Sequence, residues 1–201
     1  MAEGNRHLGS KTGATVLASA PYNASVALAP ATNPRIARNG QDVAFEWDTA
    51  TYYDGVGRAG PIAMRHMDTG KLDVITGPGT LGDVSTDGKV VTYTVDFDDL
   101  AIMAKTLPSG PMQVVMPKNY SFHALGAVDL SGDGRYVTFE EDHSPIRRID
   151  RWTGTTVSVS GYDAPWSSGS MSFDGRSIAS AQTTGGVTRV LVWDATTGTS
   201  T

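Results

Sequence analysis

The chain has 201 residues, 39% hydrophobic and 18% charged, with a net charge of −5 at pH 7. That length and balance suit one folded domain with a substantial core, and the acidic balance argues against broad binding to a nucleic-acid backbone, which needs a basic face. The absence of cysteine excludes disulfides, thiol catalysis and thiolate metal sites, and no run approaches the roughly 18 apolar residues of a membrane-spanning helix.

In chain order, residues 1–10 read as disordered. Their first seven lack the apolar core of a secretory signal. The compartment is therefore open: extracytoplasmic if a leader has been removed, otherwise cytoplasmic. Residues 11–18 carry a Thr12-Gly13 turn and a short apolar run, a spare outer strand. Residues 18–33, rich in Ala, Pro, Ser and Asn, read as a connection.

From there one phrase recurs, an Asn/Asp-Gly turn running straight into alternating apolar residues. It begins at Asn39-Gly40, Asp87-Gly88, Asp133-Gly134 and Asp174-Gly175, at intervals of 48, 46 and 41 residues. A Thr/Ser-Gly phrase alternates with it at Thr69-Gly70, Ser109-Gly110, Thr153-Gly154 and Thr197-Gly198. Two hairpin turns in fixed alternation describe a four-stranded unit. Repetition of such a unit at about 40–45 residues is the pattern of a β-propeller.

The expected fold is therefore all-β, a propeller with four recognisable four-stranded blades over residues 11–201. The blades span about 32–77, 80–116, 125–160 and 167–201. Val43 and Phe45, Val91 and Tyr93, and Val137 and Phe139 alternate on the second strands and should face neighbouring blades. Residues 101–105 could be helical in isolation, but their place in the repeat makes them a third strand. In the fourth unit the outer strand is missing or only begun. Two arrangements follow: a closed four-bladed ring completed by residues 13–18, or an arc of a larger propeller.

Ser131-Gly132-Asp133-Gly134-Arg135-Tyr136-Val137-Thr138-Phe139, with Trp152-Thr153-Gly154-Thr155-Thr156 behind it, resembles the repeat of TolB-like, or WD40-like, β-propellers. Ser172-Phe173-Asp174-Gly175-Arg176 and Val192-Trp193-Asp194-Ala195-Thr196-Thr197-Gly198-Thr199 resemble it too. The first unit departs from it, with Asn39 for Asp and Gln41-Asp42 for Arg-Tyr. The resemblance implies a docking platform or a domain attached to a hydrolase, since one fold serves many functions.

No Gly-x-Ser-x-Gly elbow occurs, and His7, His66, His123 and His143 form no i,i+2 or i,i+4 pair. Asp96, Asp98 and Asp99 cluster in one loop, oxygen-rich as hard cations require; Asp is also the ordinary turn residue. Glu140-Glu141 with Asp142-His143 invites an acid–base reading, but consecutive strand residues point to opposite faces. Arg147, Arg148 and Arg151 form the nearest thing to a basic patch.

Aromatic residues gather in two classes of loop that leave the same face of a propeller. Trp47, Tyr52 and Tyr53 lie in the longest insertion, residues 47–60, with Tyr120 and His123, and then Tyr162 and Trp166, between later units. Exposed aromatics on a rigid scaffold mark recognition surfaces; folded down, they plug blade junctions instead. The expected function is a non-enzymatic scaffold that binds a protein or glycan through these loops, without cofactor. The alternative is a propeller belonging to, or regulating, a hydrolase, with a site at the channel mouth.

Overall fold

The computed structural model describes residues 31–47, 60–96, 100–117, 127–140, 145–159, 169–184 and 186–201. These form four antiparallel sheets of four strands each, every one a meander in which neighbours in sequence are neighbours in space. Sheet one comprises β1 (Ala31–Ile36), β2 (Asp42–Trp47), β3 (Pro61–His66) and β4 (Leu72–Pro78). Sheet two is β5 (Thr80–Val84), β6 (Val90–Asp96), β7 (Leu100–Thr106) and β8 (Met112–Met116). Sheet three is β9 (Asp129–Leu130), β10 (Tyr136–Phe139), β11 (Arg147–Asp150) and β12 (Thr156–Ser158). Sheet four is β13 (Ser170–Met171), β14 (Ser177–Thr184), β15 (Val187–Asp194) and β16 (Thr199–Ser200). The fourth outer strand is thus present but short. It pairs Trp193 with Ser200, and Val192 and Thr201 exchange two further backbone bonds.

The Asp-Gly phrase explains why each chain reverses where it does. The Ser85 hydroxyl donates to Asp87 Oδ1 at 2.8 Å and accepts the Val90 N–H at 2.9 Å. Asp87 Oδ1 also accepts the Lys89 N–H. Ser131 with Asp133, and Ser172 with Asp174, repeat the same bonds. Such side-chain bonds satisfy the donors that the turn takes away from the ladder. The first unit lacks the serine: Asn39 Oδ1 accepts the Gln41 and Asp42 N–H groups, and Asn39 Nδ2 donates to Asp42.

The glycine has two reasons to be there. Gly88, Gly134 and Gly175 sit at φ of 73°, 74° and 68°, where a Cβ is strained. Each also lies against the preceding sheet: a Cβ would meet the Asp42 carboxylate, the Val90 side chain or the Tyr136 ring respectively. The turns are joined directly as well. Asn39 N–H donates to Thr86 O, Thr86 N–H to Gly132 O, and Gly132 N–H to Phe173 O, all within 3.0 Å.

The core lies between sheets rather than within one. Ala44, Ile62, Met64 and Ile75 of sheet one meet Leu81, Val84, Val91 and Tyr93 of sheet two. Ile102 and Met116 of sheet two meet Leu130, Val137, Phe139 and Ile149 of sheet three. Ile146 and Val159, flanking β11 and β12, meet Ile178 and Trp193 of sheet four. The expected pairs Val91/Tyr93 and Val137/Phe139 therefore do face the preceding sheet. Phe45 takes the equivalent side of sheet one and packs edge-on against Trp47, ring centroids 6.5 Å apart.

The third junction is reinforced by a cation–π ladder. The Arg148 guanidinium lies 4.5 Å from the Tyr136 ring and 4.8 Å from Trp193. Arg135 lies between Tyr136 and Trp152 and makes a forked ion pair with Asp150, 2.6 Å at its shortest. Arg151 binds the Gly134 carbonyl and Gln113. Arg148 and Arg151 of the expected basic patch are thus engaged within the fold.

Gly134→Ala separates the two roles of the turn glycine. It combines a strained φ with a collision at Val90, whereas Gly154, at φ 75°, has nothing within 4 Å of its Cβ position. Gly134→Ala should cost about 2–3 kcal/mol and Gly154→Ala about 1 kcal/mol, measured by urea denaturation. Equal losses would mean that the contact between sheets contributes nothing.

Candidate functional site: the inner wall and the loop face

The first strands of the sheets, β1, β5, β9 and β13, approach one another and form the inner wall. Counting back two residues from the Ser of each turn, or from Ala37 in its place in the first unit, gives Arg35, Asp83, Asp129 and Ser170 at one level of that wall. The first three reach the next inner strand. Arg35 Nε donates to Gly82 O at 2.9 Å. Asp83 Oδ2 accepts the Leu130 N–H at 3.2 Å, and Asp129 Oδ2 accepts the Met171 N–H at 2.7 Å. Above them, Glu46 Oε1 takes both Asn33 Nδ2 and the Leu81 N–H at 2.8 Å.

Asp83 and Asp129 also hydrogen-bond to each other. Burial, with the hydrogen bond and negative charge of Asp129 added to it, pushes the Asp83 carboxyl up to about 7. Perturbed carboxyls in a recess mark candidate functional sites, but here each oxygen identified is also holding a neighbouring strand.

A second recess of about 330 Å³ opens at the turn end of the first junction, lined by Asp42, His66, Lys71, Asp73, Lys89 and Pro108 among others. His66 Nδ1 lies 2.5 Å from Asp42 Oδ1, and His66 Nε2 lies 3.1 Å from Asp73 Oδ2. Burial pushes Asp73 up, but hydrogen bonds from Lys71 and His66 outweigh it and hold the carboxyl below its ordinary value. The imidazole is thus clamped between two carboxylates, as a satisfied histidine rather than one aimed at a substrate. Among the described residues no group of three or more side chains is arranged to hold a metal ion.

Of the residues expected to form a ligand face, Trp47 is described. It ends β2, at the loop end of the sheet, half-buried, and its Nε1 is buried with no hydrogen-bond partner among the described residues. Tyr52, Tyr53, Tyr120, His123, Tyr162 and Trp166 lie outside the described residues, as do Asp98 and Asp99; Asp96 ends β6. Glu140 is buried at the end of the β10 segment, and Glu141 to His143 lie outside the described residues. Sequence reasoning missed Asp83, Asp129 and Arg35. A signal for the carboxylates was present: both stand two residues before the turn serine, in Asp-x-Ser-x-Asp-Gly, 46 residues apart.

Protein-family models yield no match to this sequence, and curated proteins yield none either. Solved structures do. TolB from Acinetobacter baumannii matches at 21% identity with a TM-score of 0.61, over 86% of this chain and 43% of that one. A putative TolB from Agrobacterium tumefaciens matches at 14% identity and 0.61, over 87% and 61%. Acylaminoacyl peptidase from Pyrococcus horikoshii matches at 15% identity and 0.65, over 86% and 32%. The chain thus spans less than two thirds of the length of either TolB structure.

A carboxyl with a folded pKa near 7 binds a proton that the unfolded chain releases near 4. Its contribution to stability is therefore largest at the acid end of that window and is lost as pH rises through 7. Asp83→Asn mimics the protonated form and keeps an acceptor for Leu130. Its stability relative to wild type should rise by about 1–2 kcal/mol between pH 5 and pH 8 in chemical denaturation. A difference independent of pH would show that Asp83 ionises normally.

Proposed function

We propose that this chain, which matches TolB-like propellers in fold, acts as a non-enzymatic binding scaffold, engaging a protein or glycan through the loop face at which Trp47 stands. One observation carries this reading. The polar groups of the inner wall, where a channel-mouth catalyst would stand, are consumed in tying strand to strand: Arg35 to Gly82, Asp83 to Leu130, Asp129 to Met171. What the fold leaves for recognition is the loop end, where half-buried Trp47 has a buried indole N–H with no hydrogen-bond partner among the described residues. A rigid scaffold presenting aromatic loops is the ordinary design of a binding surface.

A second reading has one specific support. The chain is similar to 32% of the length of acylaminoacyl peptidase, which suits a propeller accompanying a hydrolase. In that case the ligand face would regulate access to a neighbouring catalytic unit.

The test is a panel of immobilised peptides and oligosaccharides, alongside ester, peptide and glycoside substrates. On the scaffold reading, one class binds without turnover. Trp47→Ala combined with Trp166→Ala then weakens binding about tenfold or more while leaving the melting temperature within a few degrees. Turnover by the chain itself, abolished by replacing Glu141 or His143, would overturn it.

A further inference from the structure

The outer rim of the first junction brings bare apolar side chains beside an acidic recess. β8 is the outermost strand of sheet two, and its five residues, Met112–Met116, include no charged side chain. Outer strands are ordinarily blunted by charge, proline or brevity, because an open ladder edge recruits other strands. β12 and β16 are three and two residues long, and β4 holds Asp73 and ends at Pro78. β8 has none of these devices within it. Val114 pairs with Met103, which packs on the core of the first junction, so Val114, and Met112 two residues before it, look to that side. Yet they are 54% and 58% exposed.

The recess of about 330 Å³ shares the hairpin of this strand: Leu107 and Pro108, in the turn from β7 to β8, form part of its wall. Four carboxylates line it, those of Asp42, Asp68, Asp73 and Asp87, against two ammonium groups, those of Lys71 and Lys89. Asp42 is held by Asn39 and His66. Lys71 pairs with Asp73 at 2.9 Å and Lys89 with Asp87 at 3.5 Å. Both lysines are largely exposed, so these pairs contribute little and yield readily to another cation. Asp68 accepts the Thr69 N–H and has no cationic partner among the described residues. The recess thus carries more negative charge than the chain itself neutralises.

We propose that the outer mouth of the first junction binds an extended peptide segment in which a lysine or arginine stands beside alternating apolar residues. The segment adds to β8 as a fifth strand of sheet two. Its apolar side chains cover Met112 and Val114, and its cation enters the recess toward Asp68, Asp73 and Asp87. Main-chain bonds to the strand edge supply affinity, and the carboxylates select the partner by charge. The net charge of −5 on this chain favours a basic partner over a second copy. The surface lies at the turn end, opposite the loop end at which Trp47 stands, and does not depend on what that end binds.

The experiment uses the full chain and two labelled peptides of alternating valine and threonine, one flanked by arginine at both ends and its twin by glutamate. In fluorescence anisotropy the arginine peptide should bind about tenfold or more tightly than its twin, with the preference shrinking as salt rises. Amide exchange across residues 112–116 should slow about tenfold or more when the arginine peptide is bound. Asp68→Lys and Val114→Lys should each weaken binding about tenfold and leave the melting temperature within about three degrees, since both positions are exposed. Trp47→Ala, at the loop end, and Val190→Asp, on the exposed face of sheet four, should leave binding unchanged. Equal binding of the two peptides, no binding of the arginine peptide at millimolar concentration, or protection confined to residues outside 112–116 overturns the proposal. So does a peptide-free chain that sediments as a dimer with residues 112–116 protected, which would make a second copy the occupant.

Discussion

Everything in this molecule depends on a sheet with a neighbour on each side being buried on both faces. A two-layer sandwich needs only one apolar face per sheet, and its strands alternate. Here the second strands lie between neighbours. Val91, Thr92 and Tyr93 are all completely buried in succession, as are Val137 and, all but completely, Thr138 and Phe139. Each fully buried aliphatic or aromatic side chain contributes about 1.5–3 kcal/mol, and that gain is realised only when the next sheet is in place. The cost falls on polar residues caught in the same layer. Thr92 meets it by exchanging hydrogen bonds with the Asp83 backbone.

Burial alone would let sheets slide over one another; the turns prevent this. The Ser-x-Asp-Gly cage sets the start of the second strands β6, β10 and β14, and its glycine accepts a side chain from the preceding sheet. Backbone bonds then run from turn to turn across three junctions. The inner strands repeat the device with side chains, through Arg35, Asp83 and Asp129. Hydrophobic area supplies the driving force, and these directional bonds choose the one rotation between sheets that satisfies them.

The same economy shapes what the protein can do. Groups that would suggest chemistry on an inner wall serve as stitches, and burial beside Asp129 holds the Asp83 carboxyl well above its ordinary value. The Asp42–His66–Asp73 clamp likewise ties β2, β3 and β4 together at the turn end of sheet one.

The repeat was legible in the sequence because its causes are local. Asn39-Gly40, Asp87-Gly88, Asp133-Gly134 and Asp174-Gly175 announce turns through the φ that glycine tolerates and the bonds that a neighbouring Asx side chain makes. Alternation in Val91-x-Tyr93 and Val137-x-Phe139 named the strands that follow, and residues 101–105 are strand because the repeat outweighs local propensity. By itself, then, the sequence determined an all-β fold of four four-stranded units. What it left open depends on residues far apart in the chain. That Asp83 meets Asp129 and that Arg148 lies between Tyr136 and Trp193 both follow from the packing of one sheet on the next. A side chain's face is set by its strand, but its neighbour and its ionisation are set by whatever the fold brings against that face, and only the tertiary structure decided this.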